Sequence, residues 1–183
     1  MLPTLSPSWS LNEVVLHDID TTQWKWDPSA RFIDATDFDI VNTLWQRIRL
    51  VCSDTELSQS TFHSDEEGVA IGLNERMRIL RYDPGAYFAP HYDGSYVRTT
   101  DKFGHSQRSL LTAQFYLNEG YVGGSTRFLN ERNESQFYEV IPKVGSVLIF
   151  EHDFFHEGAE LFSGRKYSLR TDVMYSFSRT PLL

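Results

Sequence analysis

His91-Tyr92-Asp93 places an imidazole and a carboxylate two positions apart. In an extended segment such positions point to the same side, about 6–7 Å apart along the backbone, so both side chains reach one ion. A second histidine from elsewhere in the chain would complete two imidazoles and one carboxylate. That facial set holds Fe(II) and leaves coordination positions open. His63-Ser64-Asp65 has the same spacing, so spacing alone does not choose between the pairs. Their surroundings do. His63 lies in a polar, acidic stretch (residues 58–67) without strand pattern, which reads as a solvated loop. His91 follows a run of Gly, Pro and aromatic residues (81–90). His17 and His105 have no comparable context and read as surface residues.

The elements that must position these residues follow from hydrophobic periodicity. Phe38, Val41, Leu44, Trp45, Ile48 and Val51 recur at spacings of three and four, which predicts an amphipathic helix over residues 36–52. Thr36 and Asp39 supply its N-terminal cap. Beyond residue 75 the pattern changes to short strands separated by Gly and Pro. Leu111, Ala113, Phe115 and Leu117 alternate with Leu110, Thr112, Gln114 and Tyr116, giving one apolar face and one mixed face. Tyr167, Leu169, Thr171, Val173 and Tyr175 alternate likewise with Ser168, Arg170, Asp172 and Met174. Further strands are expected at 125–129, 137–141 and 147–150. The expected fold is mainly β, a double-stranded β-helix (jelly roll) with flanking N-terminal helices.

With 183 residues, the chain is expected to form one domain over 1–183, its Trp-rich residues 1–30 an arm packed on the core. One cysteine, Cys52, excludes an intrachain disulfide and a Cys-rich metal site. A net charge of −8 disfavours a protein held by nucleic-acid phosphates. No apolar run approaches the ~20 residues of a membrane span, and the first residues lack a signal-peptide pattern. An intracellular protein is expected, cytoplasmic or, in a eukaryote, nuclear.

Arg81-Tyr82-x-x-Gly85-x-x-Phe88-x-x-His91-x-Asp93 resembles the signature of the prolyl 4-hydroxylase-type 2-oxoglutarate and Fe(II)-dependent dioxygenases. Three further motifs stand in the order that resemblance implies. They are Tyr116-Leu117-Asn118 with Gly123-Gly124-Ser125-Thr126-Arg127-Phe128, then Gly145-Ser146-Val147-Leu148-Ile149-Phe150, then His156-Glu157-Gly158 with Gly164-Arg165-Lys166-Tyr167. The resemblance covers residues 31–177. It implies His91, Asp93 and His156 as metal ligands; His152, close after the same apolar run, is the alternative to His156.

The same resemblance implies Fe(II), 2-oxoglutarate as co-substrate, O₂, and ascorbate as an auxiliary reductant. Lys166, ten residues after His156, would bind the distal carboxylate of 2-oxoglutarate, and Tyr116 would hydrogen-bond it. Tyr82 and Thr126 match cofactor-pocket positions. Arg165 points to the other strand face, and Phe88 and Phe128 read as core. Asp93 argues for hydroxylation, because related halogenases lack this carboxylate. Arg170 and Asp172 either form a structural ion pair with each other or with neighbours, or Arg170 reaches toward substrate or cofactor. Gln114, and Tyr96 and Arg98 in the long polar loop 94–108, are further substrate candidates. The implied reaction is hydroxylation of an unactivated C–H in a peptidyl, including prolyl, or small amino-acid-like substrate, releasing succinate and CO₂. Two other readings stand beside it. One is an AlkB-type nucleic-acid demethylase, against which the spacing of Arg165 and Arg170 counts; the other is a non-catalytic jelly-roll binding protein.

Overall fold

The computed structural model describes residues 32–36, 38–53, 57, 68–99 and 106–177 of the chain. The arm at 1–30, His17, the His63-Asp65 pair and His105 lie outside the described residues. In chain order the elements are β1 (Phe32–Thr36), α1 (Phe38–Val51), β2 (Gly68–Leu73), β3 (Arg76–Tyr82), β4 (Phe88–His91), β5 (Val97–Thr99) and β6 (Ser106–Tyr116). After them come β7 (Val122–Gly123), β8 (Thr126–Asn130), β9 (Asn133–Val140), β10 (Val147–Glu151), β11 (His156–Gly158), β12 (Leu161–Ser163) and β13 (Lys166–Phe177).

The architecture is the jelly roll expected from the strand pattern. A larger antiparallel sheet runs β1-β3-β13-β6-β10, with β2 added on β13 and β5 on β6. A smaller one runs β4-β11-β8-β9, and β12 pairs with β7. Alternation in β6 and β13 divides the larger sheet into two chemically different faces. Met77, Ile79, Leu111, Ala113, Phe115, Leu169, Val173 and Tyr175 form one face, buried against Val41, Leu44, Trp45 and Ile48 of α1. The opposite face carries Thr112, Tyr116, Lys166, Ser168 and Asp172, all buried although polar or ionisable. Leu148 and Phe150 of β10 close this interior together with Tyr116, Val140 and Phe128.

Some elements depart from the sequence expectation. The helix begins at Phe38, two residues later than expected, because Thr36 ends β1; Asp39 lies in the first turn. Residues 94–108 are not one loop, since β5 pairs with β6 from Val97↔Arg108 to Thr99↔Ser106. Phe88 is not core but largely exposed, with its ring 4.3 Å from that of His91.

Ile48 is fully buried between α1 and the larger sheet. Ile48→Ala removes that packing without touching the polar interior, and should destabilise the protein by about 2–5 kcal/mol. Urea denaturation checks this as a lower midpoint at unchanged slope.

Candidate active site

β4 and β11 are neighbours in the smaller sheet, and their register sets His91 directly opposite His156. The two rings lie 4.3 Å apart, centroid to centroid. Each Nδ1 contacts a backbone carbonyl two residues earlier, Ala89 O for His91 and Phe154 O for His156, both at 2.8 Å. A carbonyl only accepts, so Nδ1 carries the proton in both rings and Nε2 presents a lone pair. Burial lowers the pKa of His156, which favours this neutral form.

Asp93 follows β4, and its N–H donates to His152 O at 3.0 Å. Its carboxylate is almost wholly buried, with Oδ1 3.5 Å from His91 Nε2 and Oδ2 3.8 Å from His156 Nε2. One ligand atom from each of the three residues lies within 4.8 Å of the others. Burial alone would raise the pKa of Asp93. The Arg170 guanidinium at 2.8 Å and the Thr112 hydroxyl, which donates to Oδ2, oppose it, and the group is held well below the usual carboxylate range. Two neutral imidazoles and one anionic oxygen donor fit a first-row divalent cation with positions left open.

His152, the alternative ligand, sits behind this cluster. Thr112 donates its only hydroxyl proton to Asp93 Oδ2, so its 3.0 Å contact with His152 Nδ1 makes that nitrogen the donor. His152 Nε2 then accepts from Ser109 Oγ at 2.9 Å, while Ser109 Oγ accepts from Tyr96 N at 2.8 Å. Burial lowers the pKa of His152, consistent with a neutral ring.

Lys166 begins β13 on the same interior face, 2% exposed. Its Nζ donates to Gly124 O at 2.5 Å and lies 5.1 and 5.4 Å from the ring centroids of Tyr82 and Tyr116. It makes no ion pair among the described residues, and burial lowers its pKa to about 8. A buried ammonium without an anionic neighbour is costly and marks a place for an anion. The Gly123-Gly124 turn permits the arrangement. Both glycines have φ in the left-handed region, +84° and +69°, and a Cβ on Gly124 would lie 3.2 Å from Lys166 Cδ.

Thr126 Oγ1 is 2.9 Å from Tyr116 OH and 3.5 Å from Gln114 Nε2. Burial raises the Tyr82 phenol to about 12 and keeps Tyr116 protonated as well. Tyr82, Tyr116 and Thr126 thus surround or adjoin Lys166, and Gln114 joins this pocket through Thr126. Among the described residues, two buried hydroxyls, Ser168 Oγ and Tyr121 OH, have no partner. Ser168 is readable from the β13 alternation, two positions after Lys166; Tyr121 belongs to no periodic segment and left no signal. Arg170 bridges Asp93 at 2.8 Å and Asp172 at 3.6 Å, the contacts of the ion-pair reading. Arg98 is tied to Glu75, away from the cluster. Arg165 turns outward onto Asp83 at 2.7 Å.

Residues 77–171, more than half of the chain, match the family model of the 2OG-Fe(II) oxygenase superfamily. The chain belongs to that superfamily. The superfamily takes its name from the 2-oxoglutarate and Fe(II) used by its oxygenases. No curated protein sequence matches the chain.

Similar solved structures include a Pseudomonas putida prolyl-4-hydroxylase, at 22% identity and TM-score 0.39, covering 55% of this chain and 52% of that one. A truncated viral collagen prolyl hydroxylase from Paramecium bursaria Chlorella virus-1 has 19% identity and TM-score 0.47, covering 80% and 74%. A Trichoplax adhaerens prolyl hydroxylase, in complex with a hypoxia inducible factor peptide, has 16% identity and TM-score 0.48, covering 80% and 61%. The chain spans about half the length of the Pseudomonas protein.

Thr112→Val keeps side-chain shape but removes the donor to Asp93 and the acceptor for His152. Loss of such a supporting hydrogen bond should weaken Co(II) or Mn(II) binding about 10–100-fold. Titration of the metal-free protein by isothermal calorimetry checks it.

Proposed function

We propose that the protein is a 2-oxoglutarate- and Fe(II)-dependent hydroxylase acting on a peptidyl or small amino-acid-like substrate. In this reading His91, Asp93 and His156 hold the metal, and Lys166 binds the distal carboxylate of 2-oxoglutarate. The observation that carries it is the pairing of two incomplete charge sites on one interior surface: a three-donor cluster facing itself, and a buried ammonium lacking an anion. Bound Fe(II) supplies O₂ activation coupled to decarboxylation of 2-oxoglutarate, so that one oxygen atom enters the substrate as hydroxyl and the other enters succinate, with release of CO₂.

The chain's own groups do the rest. The carbonyls of Ala89 and Phe154 fix the tautomers that turn Nε2 of each histidine toward the cluster. Arg170 and Thr112 keep Asp93 ionised and oriented. Tyr116, hydrogen-bonded to Thr126, and the unpartnered Ser168 hydroxyl offer donors beside Lys166. Peptide substrates are favoured by the prolyl hydroxylase resemblance of the His91 segment, and a prolyl residue is one member of the class. The outward turn of Arg165 onto Asp83 speaks against a paired-arginine arrangement of the demethylase kind.

Succinate release with Fe(II), 2-oxoglutarate and ascorbate, against pooled peptides and amino acids, tests the reading; a product heavier by one oxygen identifies the substrate. His91→Ala and His156→Ala should each abolish succinate formation. Activity surviving in both would remove the metal assignment.

Lys166 adds a pH dependence with a defined sign. Burial holds its folded pKa at about 8, below the 10.5 of an exposed lysine, so the folded state carries the cost of a buried charge below pH 8. Between these two values the unfolded chain keeps the proton that the folded chain has lost. Without co-substrate, the contribution of Lys166 to stability therefore rises with pH across this window. Affinity for 2-oxoglutarate should move oppositely, falling about tenfold per pH unit above pH 8. Lys166→Met should remove both the affinity and its pH dependence, read by calorimetry with Mn(II) in place of Fe(II).

A further inference from the structure

A cavity of about 180 Å³ is lined by Gly94, the residue after Asp93, and by β13 at positions four to six residues beyond Lys166. Asn74, Arg76, Arg78, Tyr96, Arg170 and Asp172 line it, three arginines against one aspartate in a chain of net charge −8. The aspartate is already engaged, by Arg170 at 3.6 Å and by Asn74 Nδ2 at 3.4 Å. Arg170 turns Nη2 to Asp93, while its buried Nε has no partner among the described residues. Arg78 stands directly opposite Arg170 in the β3–β13 register. It is exposed toward solvent and makes no ion pair among the described residues. Like charges directly opposite across a strand pair are destabilising. A guanidinium pair of this kind, with unused donors on a cavity, matches the planar geometry of a carboxylate.

We propose that this cavity is a substrate subsite for a carboxylate, with Arg78 its main determinant and Arg170 linking it to the metal ligand Asp93. The substrate is then an acid, bound through its carboxylate at Arg78 with the reacting C–H held over the metal centre. A monoanion suits the site better than a phosphate dianion, because Asp172 shares the lining. This deepens the hydroxylase reading and rests on it.

The test uses N-acetyl-L-amino acids and their carboxamides as one arm, and doubly capped peptides carrying Glu or Gln at matched positions as the other. Binding to the anaerobic Mn(II)–2-oxoglutarate complex is measured by calorimetry, and turnover by succinate release. Acids in at least one arm should bind about 10–100-fold more tightly than their amides, the range expected for hydrogen bonds to a charged group. The responding arm says whether the carboxylate is terminal or a side chain. Arg78→Gln, at an exposed position, should bring the acids down to the amide level with the affinity for 2-oxoglutarate unchanged. Equal binding of acids and amides, binding of neither, or a preference that survives Arg78→Gln overturns the subsite. Failure of the wild-type protein to bind 2-oxoglutarate with Mn(II) overturns the hydroxylase reading, and the subsite with it.

Discussion

A carboxylate buried beside two imidazoles stays charged only if donors and cations hold it there. Asp93 meets this constraint through Arg170 on β13 and Thr112 on β6, central neighbours in the larger sheet, while the histidines beside it come from the smaller sheet. The cluster therefore sits across the junction of the two sheets, and the interior must remain polar where most β folds bury only apolar groups. The apolar content is displaced to the other face of the larger sheet, under α1. One consequence is a division of labour: packing against α1 supplies stability, and the interior is left to chemistry.

β13 organises that interior. Lys166, Ser168, Arg170 and Asp172 stand at alternate positions and face one side, so ionisable groups occur about 6–7 Å apart along a single extended strand. Neighbours decide what each does. Lys166 lies over two aromatic rings without an anion, Arg170 divides itself between two carboxylates, and Asp172 is held by Asn74. A strand buried on both faces tolerates such a row only where each charge is compensated or awaits compensation by a ligand.

Much of this was legible in the residues. Parity alone put Lys166 on the inner face, because Leu169, Val173 and Tyr175 could not share a side with it, and the strict alternation of β6 likewise separated Phe115 from Tyr116. What stayed hidden depended on contacts between distant segments. His152 and His156 follow the same apolar run, and only the pairing of β11 with β4 sets His156 opposite His91 while the turn after β10 carries His152 to Thr112 and Ser109. Phe88 reads as core by composition, yet β4 lies where its ring covers His91 from the solvent side. The short strand β5 was invisible because Val97-Arg98-Thr99 has no periodicity of its own and pairs only because β6 extends beyond the core to meet it.

The hydrogen-bonded path through His152 gives these separate pieces a common mechanical basis. It runs from Asp93 through Thr112, the buried ring and Ser109 to the backbone of Tyr96, each donor matched to one acceptor. Tyr96 lies in the segment between β4 and β5, which also lines the cavity with Arg78 and Arg170. A change in that segment is therefore connected to the Asp93 carboxylate along two routes, through Arg170 and through His152. In such a network no member is replaceable by a group that lacks its donor or acceptor, since a broken link leaves a buried polar atom unsatisfied at each end. His152 thus owes its place to the same constraint that holds Asp93 beside His91 and His156.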